Sequence, residues 1–155
     1  MTQLEIMGAN AKNASVFLRT AGSKKDDALL AIAKALREHS DEIIKANEID
    51  IENGKNAGLT ESLLDRLRLT PERINGMAEG VEQVAALADP IGNVLEGRTL
   101  KNGLNIEKVR VPMGVIGIIF EARPNVTSDA AALCLKAGSA VILRGGCLLY
   151  TSDAA

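Results

Sequence analysis

The feature that most restricts this chain is GVIGIIF, residues 114–120, an unbroken apolar run of the kind a strand carries when both its faces are covered. The polar turn EARPNVTSD follows it. AAALCLK, apolar all round, then suits a buried crossover helix with Gly138 as its stop, and SAVILRGG supplies a second short strand. Strand, helix and strand joined by short loops specify a parallel βαβ unit with a right-handed crossover. Two parallel strands alone leave wide faces to cover. The sequence therefore predicts an α/β fold with an incomplete parallel, Rossmann-like sheet.

Residues 1–92 read as a helical N-terminal layer. Met7, Ala11, Ala14 and Leu18 share one face of a first helix that Gly22 ends. Ser23-x-x-Asp26 resembles a capping box for a second helix. That helix should bury Leu29, Ile32, Ala33 and Leu36 and leave Lys25, Lys34 and Glu38 off the stripe. Ser40 is expected to cap a third, which stops near Gly54 or Gly58, and a short helix around SLLDRL comes next. Thr70-Pro71 marks a further start, a hydroxyl cap followed by proline at the first helical position. Ile74, Met77, Ala78, Val81, Val84, Ala85 and Ala88 line one face after it, up to Asp89-Pro90. Residues 93–112 read as a hairpin turning at Asn102-Gly103 in a type I′ turn. Imperfect alternation in LNIEKVRV implies a bulge or a change of covering partner. Residues 113–146 form the βαβ unit, and 147–155 stand apart.

At 155 residues the chain can bury roughly two-thirds of its unfolded surface. A net charge of −2 offers no handle for nucleic acid or an acidic membrane. No apolar run approaches the ~20 residues of a membrane span, and the N-terminus lacks the basic-then-apolar order of a secretory signal. Cys134, Cys147 and the lone His39 are too few for a Cys/His zinc cluster or a disulfide scaffold, and the single histidine weakens any Ser-His-Asp triad. No metal site is expected, and a reducing cytoplasm is the expected location.

Ligands of parallel α/β sheets sit outside the carboxyl ends of the strands. Two segments meet that condition: Glu121-Ala122-Arg123-Pro124-Asn125, and Arg144-Gly145-Gly146. Gly114 and Gly117 precede or lie within the first strand, so they do not make a dinucleotide fingerprint. Gly145-Gly146 reads as an ordinary turn or as bare backbone admitting a phosphate or a ribose. Asn125 reads as a cap for a helix over 127–137 or as a carboxamide donor to an oxyanion. Arg123 reads as a solvated arginine or a phosphate partner, and Glu121 as a loop acid. Cys134 reads as a buried, inert thiol.

The stretch VRVPMGVIGIIFEARPNVTSDAAALCLKAGSAVILRGG closely resembles the γ-glutamyl phosphate reductase (glutamate-5-semialdehyde dehydrogenase) family of the aldehyde dehydrogenase superfamily. AKNAS, KANEIDIENGKNAGLTESLLDRLRLTPERI and GVEQVAALADPIG extend the likeness upstream. The resemblance implies NADPH-dependent reduction of γ-glutamyl phosphate to the semialdehyde with release of phosphate. This is the second step of proline biosynthesis, and it runs through a cysteine thioester in an enzyme expected to be homo-oligomeric at full length. It implies an oxyanion-hole role for Asn125. Phe120, Glu121, Ala122 and Arg123 fall near the nicotinamide, although two extra residues separate Gly117 from Asn125 relative to ordinary aldehyde dehydrogenases. Arg144 falls where many relatives place a lysine on the adenosine ribose or its phosphate, beside Gly145 and Gly146. Hairpin 93–112 resembles the start of an oligomerisation arm. Past RGG the family continues with lysine, where this chain has Cys147, and CLLYTSDAA fits no family segment. Neither Cys134 nor Cys147 matches the nucleophile, so the nucleophilic cysteine is absent from this chain and no reductase activity is expected of it. Another aldehyde or acyl-CoA dehydrogenase fragment, or a helical interaction module, are the alternatives.

Overall fold

The computed structural model describes residues 2–121 and 123–145; Ala122, Gly146 and the 147–155 segment with Cys147 lie outside them. The apolar run forms β3 (Val115–Phe120), the second strand forms β4 (Ala140–Gly145), and α6 (Asn125–Lys136) connects them. β3 and β4 pair parallel with Val115 opposite Ala140 and Phe120 opposite Gly145. The α/β reading holds.

Burial departs from expectation in one respect. In β3, Ile116, Ile118 and Phe120 face the protein, while Val115 and Ile119 are exposed, Ile119 at 81%. Among the described residues nothing covers that second face, so the strand is buried on one side only. α6 is likewise not apolar all round in its surroundings, because Leu133 is exposed and Lys136 is buried.

Five helices precede the strands: α1 (Gln3–Leu18), α2 (Lys24–Glu38), α3 (Ser40–Asn56), α4 (Glu61–Leu67) and α5 (Pro71–Ala86). Leu29 and Ala33 of α2, Ala78, Val81 and Ala85 of α5, and Ala132 of α6 make the main core. The alanines and valine let these three helices approach closely, and Leu29, wholly buried, contributes about 2 kcal/mol of apolar transfer. Ala88 lies past the end of α5 and is exposed, so the apolar stripe of α5 closes at Ala85. A second cluster joins Ile51 of α3, Leu67 of α4 and Phe120 of β3. The predicted α1 face, Met7, Ala11, Ala14 and Leu18, lines an apolar groove of about 530 Å³ against β4.

Several caps differ from the sequence reading. Ser23 has helical dihedrals and makes no side-chain cap bond. Ser40 is already the first residue of α3 and does not cap it. The reciprocal box is instead at Thr2 and Glu5, on the T-x-x-E of residues 2–5. Thr70 caps α5 as its sequence predicts, its hydroxyl accepting from Arg73 N at 3.2 Å ahead of Pro71.

The hairpin pairs β1 (Val94–Thr99) with β2 (Asn105–Val109), and both strands are exposed throughout. Its turn is not the two-residue type I′ form. Gly103 N donates to Leu100 O at 2.9 Å, which puts Lys101 and Asn102 at the centre, and Gly103 follows with φ 85°. This is the three-residue loop in which glycine takes the left-handed bulge position. The implied bulge falls on β1, between Val94 and Glu96.

Lys25 corrects the sequence reading most. It lies off the apolar stripe yet is 2% exposed. Its ammonium meets Asp89 Oδ2 at 2.7 Å and donates to Lys136 O, the last carbonyl of α6, at 3.1 Å. Lys136 Nζ in turn donates to Asp26 Oδ1 at 2.6 Å and to Ala85 O at 2.8 Å. Two buried cations thus satisfy the carbonyl ends of α5 and α6, where the helix dipoles favour positive charge. Burial pushes the Asp89 carboxyl up. The Lys25 and Ile91 hydrogen bonds, with the charges of both lysines, outweigh that and hold it below its ordinary range. With the folded pKa below the unfolded one, this contribution is full above about pH 4 and is lost as pH falls through the folded value. Lys25→Met should lower stability by about 2 kcal/mol at pH 7, discounted for the partial exposure of Asp89. The gap to the parent chain should narrow below about pH 4. Equal urea midpoints at pH 7 would contradict this account.

Candidate functional site

The parallel register sets Ile119 opposite Arg144 and Phe120 opposite Gly145, so both strand ends leave the sheet on the same side. The candidate residues there have different surroundings. Phe120 is buried among Ile51, Leu67 and Val126 and is not on the surface. Glu121 and Arg123 are exposed. Arg144 is exposed and makes no ion pair among the described residues, and Gly145 is half-buried. Ala122 and Gly146 lie outside the described residues.

Asn125 is the first residue of α6, two positions ahead of the predicted start, and no side chain caps that helix. Its carboxamide is exposed and donates from Nδ2 to Asp129 Oδ2 at 3.0 Å, one turn along. One Nδ2 hydrogen is so engaged and the second remains for another acceptor. Ser128 Oγ donates to Asn125 O at 2.9 Å and fixes the same turn.

Asn125 and Arg123 open onto a cleft of about 490 Å³. α6 provides one wall with Asp129. The opposite wall is the α4–α5 junction, with Asp65, Arg66, Arg68 and Arg73, and Gly76 and Met77 of α5 complete it. Arg144 and Gly145 share the strand-end side but do not line this cleft.

The α4–α5 junction is held firmly. Asn47 of α3, 2% exposed, donates from Nδ2 to Leu67 O at 2.8 Å and accepts from Leu69 N at 2.7 Å. Leu67 and Leu69 are buried on either side of Arg68. Arg73 donates to Arg68 O at 2.7 Å, to Asp65 O, and to both Asp65 carboxylate oxygens at 3.1 and 3.3 Å. Its charge is therefore committed to the junction itself. Arg66 and Arg68 are exposed and make no ion pair among the described residues.

Cys134 is buried in α6, and burial pushes its thiol pKa up, which suits an inert packing group. Among the described residues no cluster of three metal-ligating side chains occurs, and no helix is long and apolar enough to cross a membrane.

No protein-family model matches the chain. Curated relatives do. It is 54% identical over 129 residues to the γ-glutamyl phosphate reductase of Thermobifida fusca, covering 83% of this chain and 31% of the relative. It is 53% identical over 154 residues to that of Moorella thermoacetica, covering 99% of this chain and 37% of the relative. The latter match runs into the 147–155 segment. Among solved structures, the γ-glutamyl phosphate reductase of Thermotoga maritima superposes with a TM-score of 0.95 at 41% identity, over 99% of this chain and 37% of that one. The yeast enzyme (Saccharomyces cerevisiae) gives 0.90 at 36%, over 98% and 39%. The chain belongs to the γ-glutamyl phosphate reductase family. It spans about a third of the length of the curated relatives it matches.

In this family member the sequence reading found one wall of the cleft and missed the other. Asn125 and Arg123 stand out because they follow a buried strand. Arg66, Arg68 and Arg73 sit in LDRLRLTPER, an arginine-dense stretch beside a strong helix start, but only the fold brings it to the same cleft as the first turn of α6. Asn47 gives no sequence signal. Asn47→Ala would leave Leu67 O and Leu69 N without partners. It should cost about 2–4 kcal/mol in urea unfolding and raise amide exchange at 67–69. Unchanged exchange there would show that Asn47 does not hold the junction.

Proposed function

We propose that this chain forms part of the substrate and cofactor site of an NADPH-dependent γ-glutamyl phosphate reductase, in the second step of proline biosynthesis. On this reading the enzyme belongs to the aldehyde dehydrogenase superfamily and works in the cytoplasm. It converts γ-glutamyl phosphate to glutamate-5-semialdehyde through a cysteine thioester and releases phosphate. One observation carries the reading: in a chain of this family, an exposed asparagine amide opens a polar cleft at the carboxyl end of a parallel strand.

Asn125 would donate its free N–H to the acyl carbonyl oxygen as negative charge gathers on it. Asp129 holds the other N–H and so fixes the amide plane, a positioning role. A donor fixed before reaction spends no reorganisation at the moment charge develops. Arg123, two residues away, adds positive charge beside an anionic substrate.

NADPH, when bound, supplies the hydride. The donor set fits it. Arg144 presents an unpaired guanidinium at the end of β4, suited to the adenosine ribose or its phosphate, and Gly145 beside it has no side chain to obstruct a ligand. Cys134, buried and with a raised thiol pKa, is unsuited to attack, and the chain alone should not turn over substrate. The exposed hairpin β1–β2, with Leu95, Leu104 and Ile106 in solvent, fits an oligomerisation arm of a homo-oligomer.

The test is Asn125→Ala in the full-length enzyme. Turnover should fall about 10²–10³-fold with nucleotide affinity little changed. An unaltered turnover number would remove Asn125 from the chemistry.

A further inference from the structure

Arg66 and Arg68 call for a ligand. Their backbone is locked from two sides, by buried Asn47 and by Arg73, whose own charge is absorbed by Asp65. Both remain exposed and unpaired among the described residues. Such a junction fixes the backbone that carries the two arginines, with no ion pair among the described residues for either guanidinium. They face, across the cleft, the wall that bears Asn125 and Asp129.

The lining has both signs. A subsite for a bare phosphate gains nothing from carboxylates, whereas Asp65 and Asp129 line this cleft together with the arginines. An α-amino acid head group needs both: a planar fork for its carboxylate and an anion for its ammonium. At about 490 Å³ the cleft is within the range of small-molecule sites.

We infer that this cleft seats the zwitterionic amino-acid head of the substrate, with its α-carboxylate on Arg66 and Arg68 and its ammonium toward Asp129, whose partner among the described residues is the neutral Asn125 amide. Arg66 and Arg68 are then specificity residues that place the far, reacting end of the molecule at Asn125. This rests on the proposed reductase reading and adds the recognition of the head group to it.

The experiment is a titration of the 155-residue chain with L-glutamate, followed by backbone amide NMR. Saturable shifts are expected at 65–69, 73–77 and 123–129. Arg66→Gln and Arg68→Gln should each weaken binding roughly tenfold or more, with the rest of the spectrum unchanged. Glutarate, which lacks the ammonium, should bind more weakly. Absence of shifts, shifts indifferent to both arginine variants, or displacement of glutamate by inorganic phosphate would overturn the assignment. In the full-length enzyme, the same two variants should raise KM for γ-glutamyl phosphate and leave the KM for NADPH unchanged. Loss of the predicted Asn125 effect while glutamate still binds through the arginines would defeat the oxyanion reading and uphold the head-group cleft.

Discussion

The parallel pairing of β3 with β4 is the constraint on which the rest depends. It requires α6 as a crossover, so the first turn of α6 must sit at the end of β3. That fixes Asn125 at the sheet's carboxyl edge without any contact specific to Asn125 itself. It also brings Arg144 and Gly145 out on the same side, one strand away, about 5 Å. A shared strand-end side does not mean a shared cavity. The cleft beside Asn125 is walled by the α4–α5 junction, and the end of β4 lies outside it.

The helical layer positions that second wall. α5 packs on α2 and α6 through small residues, while Asn47 of α3 holds the junction backbone by two hydrogen bonds. Lys25 and Lys136 secure the opposite ends of α5 and α6, where each ammonium meets a terminal carbonyl and a carboxylate. Buried charges of this kind add little net stability against an apolar replacement of the whole network. Their directional bonds fix how three helices meet, and hence where α5 and α6 diverge to open the cleft.

The sequence revealed what local chemistry determines. The βαβ unit is legible because apolar runs, Gly138 and short loops leave few alternatives, and Thr70-Pro71 starts α5 as written. Less legible was anything set by a distant partner. Lys25 looks solvated until α6 brings Lys136 O to it, 111 residues away. Ser23 and Ser40 look like caps, yet the chain stays helical through both positions. Asn102-Gly103 looks like a two-residue turn, but Leu100 closes a longer one. The same division runs through the site. Asn125 and Arg123 follow a recognisable strand, while Arg66 and Arg68 become candidates only when the fold sets the α4–α5 junction across the cleft from α6.

The central claim is that the ends of β3 and β4 emerge together, in parallel register, beside the first turn of α6. Interstrand proton–proton contacts by NMR on the 155-residue chain test it most directly. The account predicts cross-strand contacts that join Ile118 with Leu143 and Ile119 with Arg144, in a parallel pattern. Contacts in an antiparallel pattern, or none linking residues 115–120 to 140–145, would contradict it.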